Sequence, residues 1–367
     1  MHRSIFEQDK RYMKTALSLA LRGTGKVSPN PLVGCVIVGP DGVRGWGYHS
    51  ALGEQHAEAV AIERAGDGAF GSTLYVNLEP CCHFGKTPPC VPRIINAGVK
   101  RVVAGISDPD PRVACGGFKS LRIAGVEVTE GVLAEDCRKI NRGFLSRIER
   151  KRPWVTLKAA ASMDGDMALS TGESKWISNQ HSRKRAHMLR DYHDAIMVGV
   201  NTVLMDDPLL TVREVSGRDP RVVIMDPEFR TPPDSKVIER GCIVCGFSSA
   251  SSERKKQLFE RGCVILETEA EGHGFLPIAS ILGSLAEKGI NYLLVEGGPT
   301  LLGHFFSSRL FDSVSIFYKP GFAGAGKSIG SGFRIDSLAA SADIRVDLVR
   351  NVDGDLWVEG TNNCLQG

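Results

Sequence analysis

The sequence predicts an α/β protein of two domains, and three observations carry that prediction. The chain has 367 residues, whereas a single hydrophobic core stops growing at roughly 250–300. Apolar runs of strand length alternate with stretches of helical periodicity in both halves, the βαβ rhythm of a helix-covered, mostly parallel sheet. The charged stretch ERKRP at 149–153 interrupts that rhythm, and a fresh strand run, WVTLKAA, follows it. The domains are therefore drawn as 1–150 and 151–367.

Each element has its own signal. Met13, Leu17, Ala20 and Leu21 recur at helical spacing and place a helix over 7–22. LVGCVIV at 32–38 is a continuous apolar run, typical of a strand buried on both faces. A helix from Ala57 to Ala65, a strand at 73–78, a helix after Cys90 and a strand at 101–106 follow. A helix near 117–124, a short strand at 126–128 and a helix near 134–149 complete the first half. In the second half, helices are expected near 179–190, 252–261, 276–288 and 299–308. Strands are expected at 194–199, 221–225, 242–245, 291–296 and 313–318. The tail TNNCLQG reads as frayed.

Composition removes several classes of function. With 42% hydrophobic and 24% charged residues the chain is not disordered. Lys and Arg number 45 against 42 Asp and Glu, a net charge of +3. That is too small for bulk phosphate-backbone binding, so no nucleic-acid partner is expected. No apolar run reaches the length of about 18 residues that a membrane span requires. MHRSIFEQDKRYMK carries charges where a signal peptide needs an apolar run, so a cytoplasmic location is expected. The ten cysteines are then reduced thiols. Three of them fall within 81–90, where metal chemistry is to be sought.

Residues 56–58 read His-Ala-Glu at a helix start, and 79–90 read EPCCHFGKTPPC. An imidazole, His56, and two thiolates, Cys81 and Cys90, make a three-ligand set suited to Zn²⁺. With the fourth position left to water, such a site is catalytic rather than structural. Zinc lowers the pKa of a bound water to about 7. Glu58, two residues from a ligand, is placed to shuttle protons, as in zinc nucleobase deaminases. Pro88-Pro89 suits a helix start at Cys90, whose thiolate the helix dipole would favour. Cys82 is read as a loop residue; a closed structural site using Cys82 or His83 is the competing reading.

At this point the sequence resembles the bifunctional riboflavin-biosynthesis deaminase/reductase family. The matching strings are SPNPLVGCVIV, GYHSALGEQHAE, LEPCCHFGKTPPC and VVAGISDPDP in the first half. In the second they are LKAAASMDGDMA, TGESKWIS, DAIMVGVNTVLMDDPLLTVR and LLVEGGPTLL. The resemblance implies a cytidine-deaminase-like three-layer N-terminal domain and a C-terminal α/β domain similar to dihydrofolate reductase. It implies His56, Cys81 and Cys90 as zinc ligands, Glu58 as proton shuttle, and Asn30, His49, Lys86 and Asp108 as substrate contacts. Three departures stand out: Cys82 where the family usually has Ser, Asp110 where it often has Asn, and ACGG at 114–117 where Gly-basic-Gly is usual.

In the second half no G-x-G-x-x-G follows a first strand, so a Rossmann fingerprint is absent. The strand YLLVEGG instead runs into Pro299, which suits a first helical turn whose N–H groups can hold a pyrophosphate. By resemblance, NADPH meets Ala160, Trp176, Thr202, Asp206 and the run Gly298, Pro299, Thr300, Leu301, Leu302, Gly303 and His304. Substrate meets Ser174, Arg190, Leu210, Arg213 and Glu296. Arg190 and Arg213 are read as phosphate clamps, because guanidinium matches phosphate bidentately. The loop GFAGAGK at 321–327 is read as a mobile lid.

The expected function is zinc-dependent deamination of a diamino-hydroxy-pyrimidine bearing a phosphoribosylamino group, then NADPH reduction of its ribose to a ribityl chain. The partner is a small pyrimidine ribose phosphate, and a homo-oligomer is expected. The rival enzyme reading is a nucleobase deaminase acting on nucleic acid, with a degenerate reductase half. A zinc-stabilised binding module is the rival from outside enzymes.

Overall fold

Where successive strand residues are all apolar, both faces of a sheet take helices, and each unit of this chain is built on that rule. A computed structural model describes residues 2–84, 88–110, 116–173, 177–270 and 274–363. The chain divides into the units Met1–Arg150 and Lys151–Gly367.

In chain order the first unit comprises α1 (His2–Ala20), β1 (Gly34–Gly39), β2 (Gly42–Tyr48), α2 (Ala57–Ala65), β3 (Thr73–Leu78), α3 (Cys90–Asn96), β4 (Arg101–Ile106), α4 (Gly116–Ile123), β5 (Glu127–Thr129), α5 (Ala134–Ile140) and α6 (Arg142–Glu149). The sheet runs β2-β1-β3-β4-β5. Cys35 and Ile37 of β1 point to the face covered by α2, α3 and α4, with Ala57, Cys90 and Phe118. Val36 and Val38 point to the face covered by α1, α5 and α6, with Met13, Cys137 and Leu145. The result is three layers.

This sheet is not mostly parallel. β1 pairs antiparallel with both β2 and β3, and only β3, β4 and β5 run parallel. The expectation missed β2, whose sequence GVRGWGY lacks an apolar run. Its glycines have a packing reason. A Cβ on Gly45 would stand 2.2 Å from the Ala61 carbonyl oxygen, and one on Gly47 2.3 Å from that of Ala57. Helix α2 thus lies directly on strand backbone. The single helix expected over 134–149 is two, broken at Asn141. That side chain is diverted to the backbone of Leu32, accepting from its N–H at 2.7 Å and donating to its carbonyl at 3.0 Å.

The second unit comprises β6 (Trp154–Ser162), β7 (Asp166–Ala168), α7 (Gln180–Tyr192), β8 (Ala195–Gly199), α8 (Val200–Asp206), β9 (Arg221–Met225), β10 (Cys242–Phe247), α9 (Ser252–Glu260), β11 (Val264–Thr268), α10 (Ile278–Glu287), β12 (Tyr292–Val295), α11 (Pro299–Ser308), β13 (Ser313–Lys319), β14 (Lys327–Ser328), β15 (Ile344–Val352) and β16 (Asp355–Asn362). Its main sheet runs β11-β10-β9-β8-β12-β6-β13-β16-β15. Strands β11 to β13 are parallel, and the β15–β16 hairpin adds antiparallel. On one face Ile281, Leu282 and Leu285 of α10 and Leu302 and Phe305 of α11 close a core with Met197, Val223 and Leu293. Each such side chain contributes about 1.5–3 kcal/mol by leaving water. Val203 of α8 and Leu258 of α9 pack on Ile196, Ile224 and Val244 on the other.

The loop at 321–327 is tied down rather than loose. Asp164 accepts from the N–H groups of Ala323 and Gly324, and Asp166 accepts from that of Gly326 at 2.9 Å. Among the described residues, no helix is long and apolar enough to cross a membrane.

Candidate active sites

The first cleft lies where β3 ends and two helices begin. His56 is the N-cap of α2, and Glu58 sits in that helix's first turn. Cys81 follows β3, and Cys90 opens α3 with Pro89 as N-cap. His56 Nδ1 is 3.4 Å from each of the two sulfurs. These three ligand atoms lie within 4.8 Å of one another and form the one such cluster among the described residues. Cys82 and His83 are outside it. The backbone N–H of Cys90 donates to Cys81 Sγ at 3.4 Å. The shared proton between the thiols, with help from His56, favours the thiolate on Cys81 and the thiol on Cys90. Two soft thiol ligands and an imidazole in this arrangement fit zinc.

Glu58 is buried, and among the described residues its Oε2 has no hydrogen-bond partner. Burial first, then the nearby Cys81 thiolate, push its carboxyl up to about 7. A cleft of about 550 Å³ opens beside it, lined by Asn30, His49, His56, Glu58, Cys81 and Asp108 together with His83, Asp110 and Arg147. His49 Nδ1 faces the Gln55 carbonyl at 3.1 Å and must donate to it. Its Nε2 is therefore the acceptor for Asn30 Nδ2, also at 3.1 Å. That bond leaves the Asn30 carbonyl oxygen as the group offered to a ligand. Burial pushes Asp108 up to about 6, and its Oδ1 accepts from the Asp110 N–H at 2.9 Å. Lys86 and residues 114–115 of the ACGG string lie outside the described residues.

Arg147 is a wall residue that sequence reasoning missed. It sits on α6, more than a hundred residues from Pro29, to whose carbonyl it donates at 3.0 Å. No local motif announces it.

The second cleft, about 370 Å³, opens at the carboxyl ends of β6 and β12, the usual ligand side of such sheets. It brings together Ala160, Arg190, Asp206, Arg213 and Glu296 from the expected set. It adds Lys158 and His187, which were not expected. Lys158 interrupts the apolar run of β6, and that lone charge was a readable signal.

Arg190 does not present a free fork. Its Nε and Nη2 donate to the two oxygens of Glu296 at 2.8 and 2.9 Å, and its Nη1 donates to the Thr211 carbonyl at 3.1 Å. Burial would raise the Glu296 carboxyl, but the charges of Arg190 and Lys158 overcome it and hold it at about 2.

Gly298 caps α11 and Pro299 is its first residue. By helix geometry the N–H groups of Thr300 and Leu301 point out of the first turn, which fits a pyrophosphate-bearing cofactor. The side chains of Leu301 and Leu302 face the core instead. Gly303 packs on the backbone of Gly332, where a Cβ would come within 2.4 Å. His304 lies against Phe275, ring centroids 5.0 Å apart. Leu210 is buried with a left-handed backbone, φ 51°, and Thr202 lies on α8. Ser174 and Trp176 lie outside the described residues.

Two family descriptions match the chain. Residues 6–106 match "Cytidine and deoxycytidylate deaminase zinc-binding region", and residues 153–356 match "RibD C-terminal domain". The chain is 44% identical over 358 residues to the riboflavin biosynthesis protein RibD of Aquifex aeolicus, covering 96% of this chain and 98% of that protein. Against the Escherichia coli protein of that description it is 36% identical over 369 residues, covering 95% and 98%. Its fold is similar to Acinetobacter baumannii RibD (TM-score 0.90, 34% identity, 98% and 99% covered). It is also similar to a Thermotoga maritima diaminohydroxyphosphoribosylaminopyrimidine deaminase/5-amino-6-(5-phosphoribosylamino)uracil reductase (0.85, 35%, 97% and 99%).

Proposed function

Because the chain belongs to the riboflavin biosynthesis protein RibD family and is a bifunctional deaminase and reductase, we propose that its two reactions divide between its two units. Residues 1–150 form the zinc-dependent deaminase and residues 151–367 the NADPH-dependent reductase. The first substrate is 2,5-diamino-6-hydroxy-4-(5-phosphoribosylamino)pyrimidine, which loses one amine as ammonia. The second step turns the ribosyl chain into ribityl, giving 5-amino-6-(5-phosphoribitylamino)uracil.

The observation that carries this reading is the His56, Cys81 and Cys90 cluster with the buried, unpartnered Glu58 oxygen lining the same cleft. His56, Cys81 and Cys90 would hold zinc, whose chemistry is to lower the pKa of a water toward neutrality. Glu58 takes a proton from the attacking water and returns it to the leaving amine. A carboxyl poised near neutral pH suits both transfers. Asn30, oriented by His49, accepts from an amine or amide N–H of the pyrimidine; Asp108 is a further substrate contact.

In the second unit NADPH, when bound, would supply a hydride. The first turn of α11 would hold its pyrophosphate through backbone N–H groups, and Ala160 and Asp206 would contact it. Arg213 meets the substrate phosphate, and Glu296, fixed by Arg190, meets its hydroxyls. A nucleic-acid deaminase with a degenerate reductase half is not favoured, since the second cleft retains Arg190, Arg213 and Glu296. The setting is the cytoplasm, where thiols stay reduced, and the ligand is a free small molecule.

The test measures ammonia release and NADPH oxidation on one preparation, each with its own substrate, before and after chelation. Ammonia release is expected to fall to background and to return with added Zn²⁺, while reduction of supplied uracil intermediate persists. Joint loss of both activities in folded protein would overturn the division.

A further inference from the structure

Resting on the reading of the second cleft as the reductase site, we propose that His187 binds the phosphate end of the substrate as a neutral hydrogen-bond donor beside Arg213. A phosphomonoester dianion offers only acceptors and needs several converging donors. Helix α7 supplies one wall of the cleft: Arg183, His187 and Arg190 recur at four- and three-residue spacing and so share a face.

Arg190 on that face is already committed. Its fork is matched to Glu296, and its third donor goes to the Thr211 carbonyl. Gripping a phosphate bidentately would break a buried, doubly hydrogen-bonded ion pair and leave Glu296 only the more distant Lys158, at 3.8 Å. Arg213 is less bound. One nitrogen donates to Thr211 Oγ1 at 2.7 Å, and the side chain is otherwise exposed.

The backbone N–H of Arg213 donates to His187 Nδ1 at 3.0 Å. That bond decides the tautomer. With Nδ1 an acceptor, the proton of a neutral imidazole is on Nε2. Among the described residues Nε2 has no partner, and the ring lines the cleft although the residue is buried. Burial, then the charges of Arg190 and Arg213, lower the pKa of the ring before a phosphate enters. The one imidazole thus seats the Arg213 backbone with one nitrogen and presents an N–H donor with the other. It adds donor capacity in a cleft already lined by Lys158, Arg183, Arg190 and Arg213 without adding a further like charge.

Two substitutions separate those roles. His187→Asn retains an acceptor near the position of Nδ1 for the Arg213 N–H but has no group at the position of Nε2. His187→Gln extends an amide N–H to that position. For reduction of the supplied phosphorylated intermediate, His187→Asn should raise KM about 10- to 100-fold, the usual worth of a hydrogen bond to a charged group. kcat and the KM for NADPH should be unchanged, and His187→Gln should recover most of the loss. With the dephosphorylated analogue the Asn variant and the wild type should have the same KM. An unchanged KM in a folded Asn variant overturns the assignment and leaves His187 as a strut for Arg213. Absence of NADPH-dependent reduction in the wild type is a different result, which removes the reductase reading itself. A measurement that needs no variant follows the ¹⁵N signals of His187 in the wild-type chain. Saturation with the phosphorylated intermediate should move Nε2 while Nδ1 remains unprotonated, and an unmoved Nε2 overturns the proposal.

Discussion

The two clefts hold their polar groups in opposite ways. In the first, an imidazole, two thiols and a buried carboxylate oxygen converge, and Glu58 Oε2 has no hydrogen-bond partner among the described residues. In the second, the buried Arg190 and Glu296 complete each other through two hydrogen bonds. The first cleft therefore gains from its ligand, whereas the second is held together by its own charges. Removing one group should cost chemistry in the first cleft and stability in the second.

Glu58→Gln tests the first half of that contrast and carries the largest effect. The amide keeps the size and loses the proton shuttle, so ammonia release should fall about 10²- to 10⁴-fold. Zinc content and reduction of supplied intermediate should not change. The melting temperature of the first unit should stay level or rise, because a buried carboxylate with one unsatisfied oxygen is removed. A large drop in melting temperature would break the comparison.

Glu296→Gln tests the second half. Leaving Arg190 buried and half-paired should cost about 3–5 kcal/mol in urea unfolding of the second unit. Here the sign with pH is also fixed. Glu296 is held at about 2 when folded, below the ordinary carboxyl value of about 4.3. Its contribution is full above that ordinary value and fades as pH falls toward 2. The variant should lack that acid slope, and a slope equal to the wild type's would place the coupling elsewhere.

Gly47→Ala gives the smallest effect and sharpens the point about positioning. The added methyl meets the Ala57 carbonyl oxygen, and relief by a small shift of α2 should cost about 1–3 kcal/mol. Ammonia release should fall several-fold with zinc still bound, while reduction is untouched.

Legibility in the sequence followed the same divide. The grouping of His56, Cys81 and Cys90 was readable because they occupy two short strings, and helix α2 and strands β3 and β4 have the bounds their apolar patterns indicate. Strand β2 was hidden because packing demanded glycine where strand propensity demands side chains. Hairpin β15–β16 was overlooked although Asp353-Gly354 lies at its turn with positive φ at both residues; alternation along an exposed edge is a weaker signal than a buried run. The second cleft draws its walls from β6, β7, α7, the segment after α8, the end of β12 and β13. No window of sequence contains enough of them to show that Arg190 answers Glu296 or that His187 answers Arg213.

The seat of α2 on bare strand backbone has a mechanical consequence. β2 is the edge of its sheet, with Val43, Arg44 and Trp46 on the surface, and no layer of side chains cushions it from the helix that begins with His56 and Glu58. A displacement of that outer strand would bear directly on the helix that positions His56, the proposed metal ligand, and Glu58, the proposed proton shuttle. The outer strand of the first unit thus helps to set where its cleft residues stand.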